Sequence, residues 1–339
     1  MTQGQTRQPL TGAASEIEDT PNLVSSDVHE VRQTACPACQ SRNLRKFLSA
    51  PDRYHGRRET YDLVRCESCT LVWLKNAPTP EEMSAHYGPD YDRSVAAAGE
   101  DPDRWRGRWE TLSHYMSGGG AILDLGCSSG GFLAGLKDSS WALSGIEMSD
   151  DVARKARAKC GADVFVGDIL DAPFSKGSFD VITCFHVLEH LYQPREIFAR
   201  VSEWLKPGGL FYLMVPNIDS AGCHIFKSHW YALELPRHLS HFSPQSLRTL
   251  AQSVGLEEVS LTTDREVFVE ASSRYLLDDI LGKVGIKRSP LAKTSRPSLP
   301  FRVVRKAFRL TVLPALNALA SLAGDGESIH AIFRKGQSH

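Results

Sequence analysis

Ala121-Ile-Leu-Asp-Leu-Gly-Cys-Ser-Ser-Gly-Gly131 reads as an apolar strand carrying one acid, Asp124, that breaks into a glycine turn. The turn opens a helix at Phe132-Leu-Ala-Gly-Leu-Lys137. Gly126, Gly130 and Gly131 let backbone approach a ligand closely because no Cβ stands in the way. The helix start behind them presents N–H groups without intrahelical partners. Many nucleotide binders share such a turn, so the next acids carry the argument. Trp141-Ala-Leu-Ser-Gly-Ile-Glu147 is a second apolar run. It ends in Glu147 about 20 residues beyond the turn, where a ribose-binding carboxylate belongs. Val164-Phe-Val-Gly-Asp168 reads as a third strand ending in Asp168, and Phe179-Asp-Val-Ile-Thr-Cys-Phe185 as a fourth. Leu205-Lys-Pro-Gly-Gly-Leu-Phe-Tyr-Leu-Met-Val215 is a turn into a fifth.

In this order and spacing, from Ala121 to Asn217, the series resembles the class I S-adenosylmethionine-dependent methyltransferases. The resemblance implies an α/β fold: a Rossmann-like seven-stranded, mostly parallel sheet with an antiparallel last strand. It implies that Asp124 and the Gly126–Gly130 turn, Cys127 included, hold the methionine end and ribose side of the cofactor. By the same resemblance Glu147 takes the ribose hydroxyls and Asp168 the adenine amino group. Met148 and Ile169 cover the ring faces, while Phe185 and His186 border the methyl-bearing sulfur. A nicotinamide-binding domain is the competing reading of the turn. The Lys-Pro-Gly-Gly segment has no role there, and the missing third fingerprint glycine suits a ligand without a pyrophosphate.

At 339 residues the chain accommodates one large domain and a small one. Its 42% hydrophobic and 23% charged content are ordinary for a soluble globular protein. A net charge of -1 argues against a whole-protein nucleic-acid footprint. Residues 1–30 are acidic and lack apolar periodicity, which predicts a disordered tail. The chain opens without a secretory apolar core and holds no bilayer-length apolar run, so a cytoplasmic location is expected.

Four of the eight cysteines form two knuckles, Cys36-Pro-Ala-Cys39 and Cys66-Glu-Ser-Cys69. This spacing points to a tetrahedral structural zinc in a small β-ribbon over residues 31–80. A pair of disulfides and a four-thiolate iron site are the alternatives. Together with Tyr87 and Tyr91, the knuckles resemble the zinc-containing methyltransferases common among sugar- and polysaccharide-modifying enzymes. Residues 81–117 read as connector helices, with Trp105 and Trp109 on one core-facing side. The catalytic domain is expected over 118–339, with strands at Gly255–Thr262 and Ser328–Lys335 around a basic, apolar helical insertion at 270–325.

Two clusters follow strands four and five, at the sheet's carboxyl edge where ligands of open α/β sheets bind. In His186-Val-Leu-Glu-His190, a helix would put His186, Glu189 and His190 on one face. They are candidates to bind a divalent ion or to orient an acceptor hydroxyl. The segment resembles the Glu-x-x-Glu-His of metal-assisted methyltransferases, with His186 replacing the first Glu. The second cluster is Glu234, Arg237, His238 and His241. His238 is the first choice for a base or a second-cluster ligand, and His241 is either catalytic or bound to a backbone group. Arg237 is a candidate holder of an acidic acceptor. Ser243-Pro reads as a helix N-cap.

The expected function is methyl transfer from S-adenosylmethionine to a sugar-containing or related small-molecule acceptor. A metal-assisted O-methyltransferase on vicinal hydroxyls and a non-catalytic scaffold of the same fold are the alternatives. Between Ile280 and Gly324 nine Lys or Arg residues occur without an acid. That stretch reads as peripheral membrane contact, as an interface, or as a nucleic-acid surface for which no recognition motif is present. Oligomeric state is left open by the sequence.

Overall fold

A computed structural model describes residues 34–57, 59–87, 102–116, 118–264, 268–283, 306–308, 310–314 and 326–337. The acidic tail, Tyr91 and most of the basic insertion lie outside the described residues.

Three N-terminal strands, β1 (Leu44–Pro51), β2 (Thr60–Cys66) and β3 (Val72–Leu74), pair antiparallel. A short helix α1 (Pro80–Met83) follows, closed by a capping box in which Thr79 and Glu82 satisfy each other's backbone. Helix α2 (Pro102–Ser113) then leads into β4 (Gly120–Leu125) and α3 (Gly131–Ala134). Next come β5 (Trp141–Glu147), α4 (Asp150–Cys160), β6 (Asp163–Val166), β7 (Phe179–Phe185), α5 (Pro194–Trp204) and β8 (Leu205–Pro216). The chain continues through α6 (Ala221–Phe226), β9 (Ser240–His241), α7 (Pro244–Ser253), β10 (Leu256–Asp264), α8 (Phe268–Lys283) and β11 (Ser328–Lys335).

The large sheet has seven strands in the order β10-β11-β8-β7-β4-β5-β6, with β11 antiparallel to both of its neighbours. The Rossmann-like expectation holds. Local signals account for the helix ends. Ser149 caps α4 by accepting from Val152 N, Asp150 and Asp151 sit in its first turn, and Gly161 ends it in the left-handed region. Ser243 and Ser246 close a reciprocal cap at α7, as the Ser-Pro signal predicts.

The strand β9 belongs to the other sheet. Its residues pair with β3 in the register Val72↔His241 and Trp73↔Ser240, completing a four-stranded sheet β1-β2-β3-β9. Leu74 N donates to Leu239 O at 2.9 Å, and Leu239 N donates to Glu189 O at 2.8 Å. Beneath this seam Tyr61, Leu63, Val72 and Leu74 share one buried cluster with Trp230, Leu233, Leu239 and Val269. Burying Trp230 and Tyr61 removes roughly 150–250 Å² per ring from water. At ~25 cal/mol per Å² each contributes about 4–6 kcal/mol before entropy is counted. Residue 80 is therefore not a packing boundary: the ribbon and the segment after β8 form one body.

Residues 186–190 do not form the expected helix. His186 has φ +57°, its N–H donates to Met214 O at 2.9 Å, and Leu188–His190 make a 3-10 turn. The β7–β8 pairing thus runs one residue past the strand, and the left-handed backbone at His186 breaks right-handed helical winding there. No described helix is long and apolar enough to cross a membrane.

Candidate active site

The carboxyl ends of β4, β5 and β6 are tied to one another by backbone bonds. Cys127 N donates to Ile146 O at 2.9 Å, and Gly167 N donates to Glu147 O at 3.1 Å. The Glu147 carboxylate accepts from Ser128 N at 3.1 Å and Ser149 N at 3.0 Å, bridging the glycine turn and the start of α4. Asp168 is brought alongside and accepts from Leu170 N at 2.8 Å. Ile169 is buried, whereas Met148 is 70% exposed at the lip. Gly126 needs its freedom: φ is +68°, and a Cβ there would stand 2.5 Å from Val187 Cγ2. At Gly130, φ +75°, a Cβ would crowd Ala156 and Cys160 at 3.1 Å.

Two expected cofactor contacts are partly absorbed by the protein. The Asp124 carboxylate is buried and accepts from Thr183 Oγ1 at 2.7 Å, and burial pushes its pKa up to about 7. The Cys127 side chain turns into the core, where a Cβ on Gly145 would meet its Sγ at 2.6 Å. Only the Cys127 backbone is left to face the turn.

Helix α2 lies across this region. Trp109 stacks on Phe132 at 4.0 Å and 1°, and Phe132 meets Phe185 edge-on at 4.9 Å. Between them the buried Arg108 guanidinium lies 4.6 Å from the Trp105 ring and 4.8 Å from Phe185. Its charge lowers the Asp124 pKa against burial. Sequence reasoning took the two tryptophans as core and missed Arg108. The signal was there, because a cation three residues after Trp105 shares its helix face.

The two histidine clusters converge. Glu189, His190 and His238 present ligand atoms within 4.8 Å of one another, and the His190 and His238 rings are 4.7 Å apart. His238 Nδ1–H donates to Ala232 O at 2.8 Å, and His190 Nδ1–H to Arg237 O at 3.1 Å. A carbonyl only accepts, so in the neutral form of both rings the lone pair is on Nε2. Tyr87 Oη lies 3.3 Å from His190 Nδ1. Burial, then the neighbouring His238, push the His190 pKa down to about 4. Burial would raise Glu189, yet chiefly its hydrogen bond to and charge interaction with His186 hold it below the ordinary carboxylate range. His186 Nδ1 stands 3.4 Å from Glu189 Oε1.

The rest of the second cluster is structural in geometry. His241 is buried in β9, its Nε2–H donating to Leu233 O at 3.1 Å. Arg237 is not an anion holder. It is 1% exposed, donates to Glu234 Oε1 at 2.8 Å, and lies 3.9 Å from the Tyr54 ring. Glu234, at φ +39°, also stands 3.8 Å from His238 Nε2.

In the ribbon, the sulfurs of Cys36, Cys39, Cys66 and Cys69 lie within 4.8 Å of one another. The pairs Cys36–Cys69 at 3.4 Å and Cys39–Cys66 at 3.5 Å are free thiols, well beyond a disulfide length. Four ligands around zinc at ~2.3 Å put sulfurs ~3.8 Å apart, so the donor set fits that ion. A further group, Asp52, His55 and His86, holds a cation of its own: Arg57 Nη1 is 3.0 Å from His86 Nδ1.

Residues 98–261 match the family model of a methyltransferase domain. Over 167 residues the chain is 29% identical to the ubiquinone biosynthesis O-methyltransferase of Thiobacillus denitrificans, covering 46% of this chain and 72% of that protein. An uncharacterized 37.1 kDa protein from Streptomyces fradiae is 33% identical over 109 residues, 30% of this chain and 32% of that one. The fold is similar to that of Haemonchus contortus phosphoethanolamine N-methyltransferase 2 in complex with S-adenosyl-L-methionine. That match has a TM-score of 0.51 at 17% identity, over 78% of this chain and 62% of that one.

Proposed function

We propose that this chain, an S-adenosylmethionine-dependent methyltransferase of the class I fold, passes the methyl group to a hydroxyl oxygen of a small-molecule acceptor. S-adenosylmethionine supplies a methyl carbon on a sulfonium, which already carries its leaving group. The residues present fit that donor. Glu147 suits the ribose diol, Asp168 an amino group, and Met148 and Ile169 the faces of a purine. The buried Arg108 guanidinium and the buried Asp124 carboxyl suit the carboxylate and the ammonium of an amino acid. Transfer then needs the acceptor oxygen held in line and relieved of its proton.

The observation that carries the reading is the tautomer of His238 and His190. Both Nδ1–H groups are spent on backbone carbonyls, which leaves Nε2 lone pairs beside an ionised, buried Glu189. His238 Nε2 is the group we assign to take the proton, with Glu189 stabilising the imidazolium that forms and His186 bordering the sulfur. The relatives named for ubiquinone biosynthesis support oxygen as the methyl-accepting atom. Their names lend no support to the sugar expected from the N-terminal ribbon. We propose that the ribbon's four thiolates hold a structural zinc.

A second reading is favoured by the convergence of Glu189, His190 and His238 on one point: the three hold a divalent ion that orients vicinal hydroxyls. The test uses full-length protein, S-adenosylhomocysteine titration and elemental analysis. Glu147→Ala should abolish cofactor binding, and unchanged affinity would refute the cofactor assignment. Glu189→Gln and His238→Gln should each lower turnover about 10²–10⁴-fold while cofactor affinity stays the same. One zinc per chain supports the base, whereas a second metal lost in Glu189→Gln supports the ion.

A further inference from the structure

Each cysteine knuckle is followed by a residue in the left-handed region. Gln40 has φ +61°, and its N–H donates to Cys36 O at 2.8 Å. Thr70 has φ +65°, and its N–H donates to Cys66 O at 2.9 Å. A β-branched side chain is strained in that conformation, so a tertiary contact must hold it there. Thr70 Oγ1 lies 2.5 Å from Oγ of the buried Ser243, the residue that caps α7.

Upstream of Ser243, the segment that carries His238 is fastened to the ribbon and to the 186–190 turn at once. Leu239 is the joint: its carbonyl accepts from Leu74 N at 2.9 Å, and its N–H donates to Glu189 O at 2.8 Å. His190 Nδ1–H spans the same gap to Arg237 O at 3.1 Å, and Tyr87 Oη lies 3.3 Å from that nitrogen. Arg237 Nη1 in turn donates to His86 O at 3.4 Å. The chain beyond the turn is tied down as well. Tyr192 Oη donates to Pro78 O at 2.8 Å, and Arg195 Nη1 to Ala38 O, inside the first knuckle, at 3.3 Å. Both histidine segments therefore take their place from bonds to the ribbon.

Resting on the thiolate and base assignments of the preceding reading, we propose that the zinc ribbon sets the spacing of the two histidine segments, with Thr70 as the strut that carries the second knuckle's geometry to the segment of His238. Four thiolates on one zinc fix both knuckles. The first reaches α5 through Ala38, and the second reaches α7 through Thr70. None of these bonds involves Gly126, Glu147 or Asp168, so the cofactor side is left alone. Thr70 is a positioning residue and touches no reacting atom.

The test is proton–nitrogen correlation spectroscopy of the imidazole rings in the full chain, labelled at histidine and held at neutral pH. His190→Gln assigns the reporter, whose Nδ1–H bond bridges the two segments. The zinc-loaded parent should show His190 predominantly as the Nδ1–H tautomer. Chelation, Thr70→Gly and Thr70→Val should each raise the other tautomer about fivefold, the worth of one lost hydrogen bond. Thr70→Ser should keep the parental spectrum. S-adenosylhomocysteine affinity should stay within about threefold throughout. In Thr70→Gly, relief of backbone strain opposes loss of the hydroxyl, so a melting temperature near the parent's separates positioning from general loosening. Should chelation unfold the chain, the two Thr70 variants carry the comparison. An unchanged His190 spectrum in both of them, no rescue by Thr70→Ser, or cofactor affinity falling in step with the spectral change overturns the proposal. A purified chain without zinc would instead count against the thiolate assignment, and one that binds no S-adenosylhomocysteine against the cofactor reading. The Thr70 spectra decide the strut in either case.

Discussion

Gly126→Ala tests how the glycine turn is held. The backbone there has φ +68°, a left-handed conformation that costs an L-residue about 1–2 kcal/mol. The new methyl would sit 2.5 Å from Val187 Cγ2 and 3.2 Å from Cγ1. Val187 is β-branched and stiff at χ1, so the contact is relieved only by moving backbone. Overpacking of this kind costs about 1–3 kcal/mol. The sum, about 2–5 kcal/mol, corresponds to a fall in melting temperature on the order of 10 °C for a domain of this size. Because Val187 follows His186 and precedes Glu189, relief of the clash also displaces the 186–190 turn. Differential scanning calorimetry gives the stability, and titration with S-adenosylhomocysteine gives the cofactor affinity. A double-mutant cycle with Val187→Ala isolates the contact, with an expected favourable coupling of about 1–3 kcal/mol. A Gly126→Ala protein melting within ~2 °C of the parent, or additive behaviour in the cycle, would show that the turn is not wedged against Val187.

Acid should destabilise the ribbon seam. Burial, then His238, push the His241 pKa down to about 3, below its ordinary value of 6.5. The unfolded chain therefore binds this proton first, so the stabilisation is complete above pH ~6.5 and is lost as pH falls toward ~3. The loss approaches 1.4 kcal/mol per pH unit, about 2 kcal/mol at pH 5. Urea melts of the parent and of His241→Leu between pH 5 and 8 should differ in slope, and parallel curves would dismiss this titration. Metal removal gives another check. Cys66→Ser or exhaustive chelation should release one zinc and lower the melting temperature while leaving S-adenosylhomocysteine affinity within about threefold. A chelated protein that melts like the parent would show that the thiolates need no ion.

The catalytic fold was legible because its signals are local. Strand, glycine turn and strand-terminal acid recur within a few residues, and short continuous apolar runs, buried on both faces, specify the parallel core. The Ser149 and Ser243 caps are equally local. The 186–190 turn was misread because His-x-x-Glu-His has helical spacing, while the left-handed backbone at His186 that breaks winding is set where its N–H bonds Met214 O on another strand. Arg237 looked like an anion holder because its neutralising partner, Glu234, approaches it only through a turn at φ +39°. Strand β9 has two residues and no periodicity to detect, so its pairing with β3 is visible only in three dimensions.

That pairing sets an order of events during synthesis. The ribbon leaves the ribosome early, yet its fourth strand is translated about 170 residues after β3. Until then Val72 and Trp73 present an open edge ready to accept a stray chain, a hazard that charge or covering usually blunts. Completion of the four-stranded sheet waits on the segment that carries His238 and His241. The nascent protein therefore completes its four-stranded sheet and brings His238 to Glu189 and His190 in a single late step.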